Sequence, residues 1–327
     1  MATADNAAIR ARGLVKRFGD VRAVDGIDFD VAPGGFFGFL GPNGAGKTTT
    51  ICMLTGLSRP DAGSIEIGGI DCSRNPKAAQ HLIGVVSDES NLYPELSGFD
   101  NLCFSGALYG MRREERRRKA SELLELFGLA EAASRKFSGY SKGMKRRLVI
   151  AAAIMHGPQV LFLDEPTSGI DVESSRMIRR LLSLLHRKGV TIFLTTHFIG
   201  EAERLCDRIA FIVGGRIVRT DTVERLLQPV QGRHALTVSL SEGCDVPLGE
   251  LELAFPGLDF NLLAPDELRV ESGEPLKAGS LVRFLEDRGV EVVEARKRVL
   301  SLEDVFVEIT GIAAGSMLKE KEGGRRQ

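Results

Sequence analysis

Residues 41–48 read Gly-Pro-Asn-Gly-Ala-Gly-Lys-Thr, and the segments on either side leave the chain few folding choices. Phe36-Phe37-Gly38-Phe39-Leu40 is a short apolar run of the kind that forms a buried strand, and Thr49-Thr50-Ile51-Cys52-Met53-Leu54 continues as a helix. A strand delivers the loop and a helix leaves it, so backbone N–H groups and the helix N-terminus converge on one anion. Glycines at 41, 44 and 46 allow the backbone to wrap a triphosphate, with positive φ where needed. The candidate binding set is Gly41, Pro42, Asn43, Gly44, Ala45, Gly46, Lys47, Thr48 and Thr49. Lys47 is placed to reach the outer phosphates, and the Thr48 hydroxyl to ligate Mg²⁺. A Gly-rich turn that matched by chance would need neither the strand nor the helix.

At 327 residues the chain fits two domains of ordinary size. Its 43 basic and 44 acidic residues nearly cancel, so no global field favours nucleic acid or anionic lipid, and no nucleic-acid partner is expected. No apolar run approaches the roughly 18–20 residues that span a bilayer. The start, Met1-Ala2-Thr3-Ala4-Asp5-Asn6, lacks the basic-then-apolar layout of a secretion signal, and a cytoplasmic chain is expected. The five cysteines are scattered and form no metal-ligand spacing, so free thiols are expected.

Strand-like and helix-like segments alternate from about residue 8 to 228, the pattern of an α/β domain with a largely parallel core. The clearest strands are Phe36–Leu40, Ile83–Val86, Val160–Leu163, Thr191–Thr195 and Ile209–Val213. Between about 98 and 156 the strand signal gives way to apolar residues at helical spacing, which predicts an inserted helical subdomain. Its charge run, Arg112 to Lys119, reads as a solvated helix face or a docking face. Residues 233–312 predict a small C-terminal α+β module, with strands at Ala235–Leu240, Leu268–Glu271 and Val290–Ala295 and helices at Ala278–Glu286 and Leu302–Ile309. Residues 315–327 are charged, lack apolar anchors, and predict a disordered tail.

Three further segments belong with the phosphate loop. Val160-Leu161-Phe162-Leu163-Asp164-Glu165 is an apolar strand ending in two acids, which a buried strand needs only if something cationic or reactive sits there. Asp164 is the candidate Mg²⁺ ligand. Glu165, expected on the other side of the strand path, is the candidate base for an attacking water. The alternative is a helix-capping pair. Pro166-Thr167-Ser168-Gly169-Ile170-Asp171 then turns, with Asp171 placed as an N-cap. A second apolar strand, Thr191 to Thr196, ends at His197, a candidate catalytic donor beside a γ-phosphate, although a lone histidine is more often structural. Finally, the Ser/Gly turn Phe137-Ser138-Gly139-Tyr140-Ser141-Lys142-Gly143 opens a helix and offers a second anion site.

With these residues together, positions 8 to 228 resemble the ATP-binding subunit of an ABC transporter, most like the stand-alone ATPase subunits of ABC-2-type exporters, including the drug-resistance kind. Phosphate loop, signature turn, acidic strand end, Ser-Gly-x-Asp turn and switch histidine occur in family order. The closing Leu300-Ser301-Leu302-Glu303-Asp304-Val305-Phe306 is similar to theirs as well. The resemblance implies a P-loop NTPase cassette that binds ATP and Mg²⁺, hydrolyses ATP, and drives a separate integral membrane permease from the cytoplasmic face of the membrane. It also implies a second nucleotide-binding subunit, identical or related, paired head to tail. In that pair Ser141, Lys142 and Gly143 of one protomer face the γ-phosphate held by Lys47 of the other. Phe18 takes the position of the family's adenine-stacking aromatic; core packing is the alternative.

Two departures stand out. The usual signature turn Leu-Ser-Gly-Gly-Gln here reads Tyr140-Ser141-Lys142-Gly143-Met144. A lysine at a helix start facing a triphosphate adds to the dipole, while the lost glycine restricts backbone approach. Where the family keeps a glutamine after Ile83-Gly84-Val85-Val86-Ser87, this chain has Asp88, read as a metal or metal-water ligand. Two other classes compete: a soluble ABC ATPase of translation or DNA repair, which usually carries two cassettes or a long coiled-coil insertion, and a P-loop phosphotransferase, which has no use for Tyr140–Met144.

Overall fold

The computed structural model describes residues 7–72, 74–87, 92–241, 243–244 and 246–312. Among the described residues two compact units emerge, one reaching to Val223 and taking in 309–312, the other Glu224–Glu308. In the first, the chain passes through β1 (Ile9–Phe18), β2 (Val21–Val31), β3 (Phe36–Leu40), α1 (Lys47–Leu54), β4 (Ala62–Ile67), β5 (Ile70–Asp71), α2 (Pro76–Leu82) and β6 (Ile83–Val86). There follow α3 (Gly98–Leu108), α4 (Arg113–Leu126), α5 (Lys142–Ala153), β7 (Val160–Asp164), α6 (Val172–Arg187), β8 (Thr191–Thr196), α7 (Ile199–Leu205), β9 (Arg208–Val213) and β10 (Arg216–Thr222).

A six-stranded sheet of order β10-β9-β3-β8-β7-β6 is parallel except for β10 at its edge. Every residue of β3, β7 and β8 is buried, which explains why these strands read as continuous apolar runs. β8 lies between β3 and β7, so three strand ends that are distant in sequence come out side by side.

The largely parallel core accounts for only part of this unit. A second sheet, β2-β1-β4-β5, is antiparallel and precedes and follows the phosphate loop. Its strands carry many charges, paired across the ladder: Arg10 bonds Glu66 at 3.1 Å, and Arg12 bonds Asp30 at 2.7 Å. A strand with one charged face looks unlike a buried one, so the sheet is hard to see in the sequence. Phe29 of β2 joins the two sheets, with ring centroids 5.7–5.8 Å from Phe37, Phe39 and Phe193. In a chain without tryptophan, this phenylalanine cluster is the main aromatic filling between the sheets.

Helices α3, α4 and α5 occupy the stretch read as a helical subdomain. Ser97 caps α3, Ser141 caps α5 and Asp171 caps α6, each accepting a backbone N–H from inside its own helix. Tyr140 is buried, and its hydroxyl donates to the Ala132 carbonyl at 2.7 Å. The end of α5 lies on β6: a Cβ added to Gly84 would stand 2.3 Å from the Ala153 carbonyl oxygen.

The second unit holds α8 (Val223–Leu227), β11 (His234–Leu240), α9 (Leu248–Ala254), β12 (Asp259–Ala264), β13 (Glu267–Ser272), α10 (Ala278–Glu286), β14 (Val292–Arg298) and α11 (Leu302–Thr310). Its antiparallel sheet, β12-β13-β11-β14, buries Leu236, Val238, Leu268 and Val270 against Leu251, Leu281 and Leu285 of the helices. This is an α+β unit with one strand, β12, and two helices, α8 and α9, beyond those expected. The closing motif is a cap. Ser301 N–H donates to Asp304 at 2.8 Å, Glu303 N–H donates back to the Ser301 hydroxyl, and Arg269 holds Asp304 at 3.1 Å. All five cysteines are unpaired. The residues expected to form a tail lie outside the described ones.

Because a backbone carbonyl blocks the space, Gly84→Ala is expected to cost about 1–3 kcal/mol. Urea denaturation of the variant should show a lower midpoint; an unchanged one would mean that α5 does not approach β6 this closely.

Candidate functional site

Leu40 ends β3, and the loop that follows turns with the Ala45 N–H on the Pro42 carbonyl. Gly44 and Gly46 adopt φ of 77° and 104°, as the loop reading requires. Gly41 has no positive φ, but a Cβ there would lie 2.1 Å from the Ile212 carbonyl, so packing against β9 demands a glycine at this place in the loop as well. Gly46 is constrained twice, since its Cβ would also meet the Ala23 carbonyl at 2.3 Å. Ala45 is buried, and its carbonyl accepts the Gly215 N–H, which fastens the loop to the turn between β9 and β10.

α1 starts at Lys47 with no side-chain cap, so its first N–H groups are left to whatever lies before them. Lys47 Nζ donates to the Gly41 and Pro42 carbonyls at 2.7 and 3.1 Å, and lies 3.6 Å from Glu165 Oε1. The Thr48 hydroxyl donates to Asp164 at 2.8 Å; the other oxygen of the same carboxylate accepts the Thr195 hydroxyl at 2.5 Å. A cavity of ≈ 340 Å³ is lined by Asn43, Gly44, Lys47, Thr48, Asp164 and Glu165, together with Ala23, Gly46 and Thr49.

Glu165 does not go to the opposite side of the strand. It has φ 48°, and no other described non-glycine residue has a positive value. The strand therefore ends at Asp164, and both carboxylates turn into one cavity. Glu165 Oε2 is 2.7 Å from His197 Nδ1, without the alignment of a hydrogen bond. Each atom thus keeps a hydrogen-bonding capacity for a third group, such as a water or a phosphate oxygen. A buried lysine, a carboxylate and an imidazole in contact can bind an anion, take up a proton from water and donate to a leaving oxygen.

Other expected residues stand apart. Phe18, Ser141, Lys142 and Gly143 are not among the described residues lining this cavity. Phe18 is 57% exposed, which rules out core packing, and Lys16 Nζ lies 5.6 Å from its ring centre. Ser141 Oγ accepts the Met144 N–H at 3.2 Å, leaving its own proton free to donate outward. Lys142 is exposed, with its ammonium beside Gly169. Gly143 is buried against α6; a Cβ would meet Ser174 Oγ at 2.0 Å. Asp88 lies outside the described residues.

Two contributors escaped the sequence reading. Thr195 is a fully buried hydroxyl in β8, but Thr191 and Thr196 of the same strand are buried too, so its residue type does not single it out. Arg146 hid within the run Lys145-Arg146-Arg147, yet it is buried and donates to the Ser87 carbonyl at 2.6 Å and the Glu165 carbonyl at 3.4 Å.

The family described as ABC transporter matches residues 24–168. Daunorubicin resistance ATP-binding protein DrrA3 of Streptomyces coeruleorubidus is 38% identical over 309 residues, covering 93% of this chain and 96% of its own length. Nod factor export ATP-binding protein I of Paraburkholderia xenovorans is 40% identical over 317 residues, with 93% and 97% covered. Linearmycin resistance ATP-binding protein LnrL of Bacillus subtilis is 40% identical over 233 residues, with 71% and 75% covered. Among solved structures, the ATP-binding cassette MJ0796, a dimer in a post-hydrolysis state with ADP and Pi, superposes with a TM-score of 0.61 at 26% identity. It covers 66% of this chain and 98% of its own. An ATP-binding subunit of an ABC transporter gives 0.63 at 26% identity, covering 76% and 100%.

Gly143→Ala is expected to lower stability by about 1–3 kcal/mol with no nucleotide present, through the clash with Ser174. Adding Ser174→Gly should recover part of it in thermal melts; no loss in the single variant would refute the packing role. On its site geometry and its relatives, this chain belongs to the ABC transporter family, as an ATP-binding, ATP-hydrolysing subunit.

Proposed function

We propose that this subunit powers export: two copies, or one copy and a related chain, close on ATP, and hydrolysis reopens them to move a separate membrane permease. The contact of Glu165 with both Lys47 and His197 carries the chemical part of this reading. Lys47 and the N–H groups of Gly44, Gly46 and the start of α1 hold the phosphates. Glu165 takes the proton of the attacking water, and His197 donates to charge that develops on the outer phosphate. Thr48 and Asp164 present hard oxygens next to each other, a donor set that fits Mg²⁺, which when bound neutralises phosphate charge. Asp88 is proposed as a further ligand in that sphere.

Pairing is supported by the dimeric cassette of similar fold and by the outward-facing Ser141 hydroxyl. In the pair, Ser141, Lys142 and Gly143 complete the partner's nucleotide site, and Phe18 stacks on adenine. Export is supported by the names of the relatives, which tie them to drug resistance or Nod factor export. No helix among the described residues is long and apolar enough to cross a membrane. The proposed reading gives the crossing to a separate permease and places this chain against its cytoplasmic face. A groove lined by Val85, Tyr93, Phe104, Ser105, Leu108 and Tyr109, with Tyr93 and Leu108 at least half exposed, offers a seat of mixed polarity for a permease segment.

Glu165→Gln is expected to bind ATP, pair in its presence by light scattering, and hydrolyse about 10²–10⁴-fold more slowly. Hydrolysis at the wild-type rate would remove Glu165 from the mechanism. Leu108→Glu should lose co-purification of the permease while the isolated chain still hydrolyses ATP; retained co-purification would move the contact elsewhere.

A further inference from the structure

One acidic side chain next to this chemistry has no part in it so far. Glu201 lies in the first turn of α7, four residues past His197, and is 5% exposed. Its Oε2 accepts the Thr167 hydroxyl at 2.7 Å, while Oε1 is buried with no hydrogen-bond partner. Thr167 is buried too, two residues past Glu165. The bond thus links the loop that leaves Glu165 to the helix that leaves His197.

The loop needs such a link. Glu165 is held in the left-handed region, which a non-glycine residue keeps only when its surroundings over-determine it. Its N–H donates to the Thr195 carbonyl at 3.1 Å, and its carbonyl accepts from Ser168 N–H at 3.1 Å. Those bonds fix the backbone at Glu165 itself. The Thr167 hydroxyl is a side-chain bond that reaches across to α7 and so relates this loop to the element beginning after His197.

We propose that Glu201 is a positioning residue for hydrolysis, which through Thr167 holds the Glu165 carboxylate against the His197 imidazole. The inference rests on the reading that these two side chains carry out the chemistry. Burial pushes the Glu201 carboxyl up from its ordinary range; the Thr167 bond, Arg179 and His197 pull it down, and Glu165 pushes it up further. A neutral acid also suits the unpartnered Oε1, since an ionised carboxylate would leave charge on a buried, unsatisfied oxygen. Only the acceptor oxygen is needed for the tie, and a glutamine amide has the same one.

The test uses the full-length chain, with its permease if one co-purifies, and Mg-ATP. Thr167→Val keeps the shape and removes the donor, and kcat should fall about tenfold while the Kd for ATP stays within about twofold. Glu201→Gln should keep kcat within about twofold of wild type. The pair Thr167→Val and Glu201→Met replaces both polar partners with apolar groups, so the melting temperature should return toward wild type while kcat stays low. Full kcat in Thr167→Val would overturn the proposal. So would a kcat that recovers with the melting temperature in the double variant, or Glu201→Gln as slow as Thr167→Val. Glu165→Gln is run beside them. If it hydrolyses normally, the catalytic reading fails; if it is inactive while Thr167→Val runs at full speed, only the tie fails.

Discussion

The side chain of Asp164 holds the site together. One oxygen accepts from Thr48 at the start of α1 and the other from Thr195 in β8, so a single buried side chain joins a helix and two strands. The Thr195 bond is buried, where the low dielectric strengthens it, while the Thr48 bond borders the cavity. With that anchor in place, the phosphate loop, the acidic strand end and His197 have fixed places relative to one another. The next residue then turns back into the same cavity, which sets the Glu165 carboxylate between an ammonium and an imidazole.

Close backbone approach is the second constraint. At Gly41, Gly46, Gly84 and Gly143 a methyl group would fall within 2.3 Å of an oxygen from another segment. Two of these positions belong to the phosphate loop and one to the turn around Ser141, so the residues proposed to bind phosphate are also those that pack the fold. Stability and function are therefore hard to separate by substitution at these glycines, whereas Thr167, Glu165 and Glu201 allow isosteric changes.

Much of the parallel sheet was legible because strands buried on both faces need unbroken apolar runs, and β3, β6, β7, β8 and β9 all have them. The helix after Asp171 announced itself by its cap and the one after Ser141 by its Ser/Gly turn, whereas the cap at Ser97 was not read. The antiparallel sheet was not legible, since β1 and β2 alternate charged and apolar residues and many of their charges find partners on other segments. β12 was missed for a related reason: it is an edge strand with Leu262 and Leu263 about half exposed. Asp164, Glu165 and His197 could be found because acids and a histidine at the ends of apolar strands are costly without a purpose. Thr195, Arg146 and the Thr167–Glu201 bond could not, because threonines, arginines and glutamates are common and gain meaning only from what they touch.

By itself, the order of residues in the chain determined the phosphate loop, the acids, the histidine and the family to which they belong, since each depends on side-chain type and short spacing. Only the tertiary structure decided that Gly41 answers to β9 while Gly44 answers to the turn, that Glu165 reverses its direction, and that Glu201 reaches Thr167 in the loop after Glu165. Those facts depend on distances between segments far apart in the chain. Such distances are set by how β3, β7 and β8 lie in one sheet and by the space that the phenylalanine cluster leaves around it.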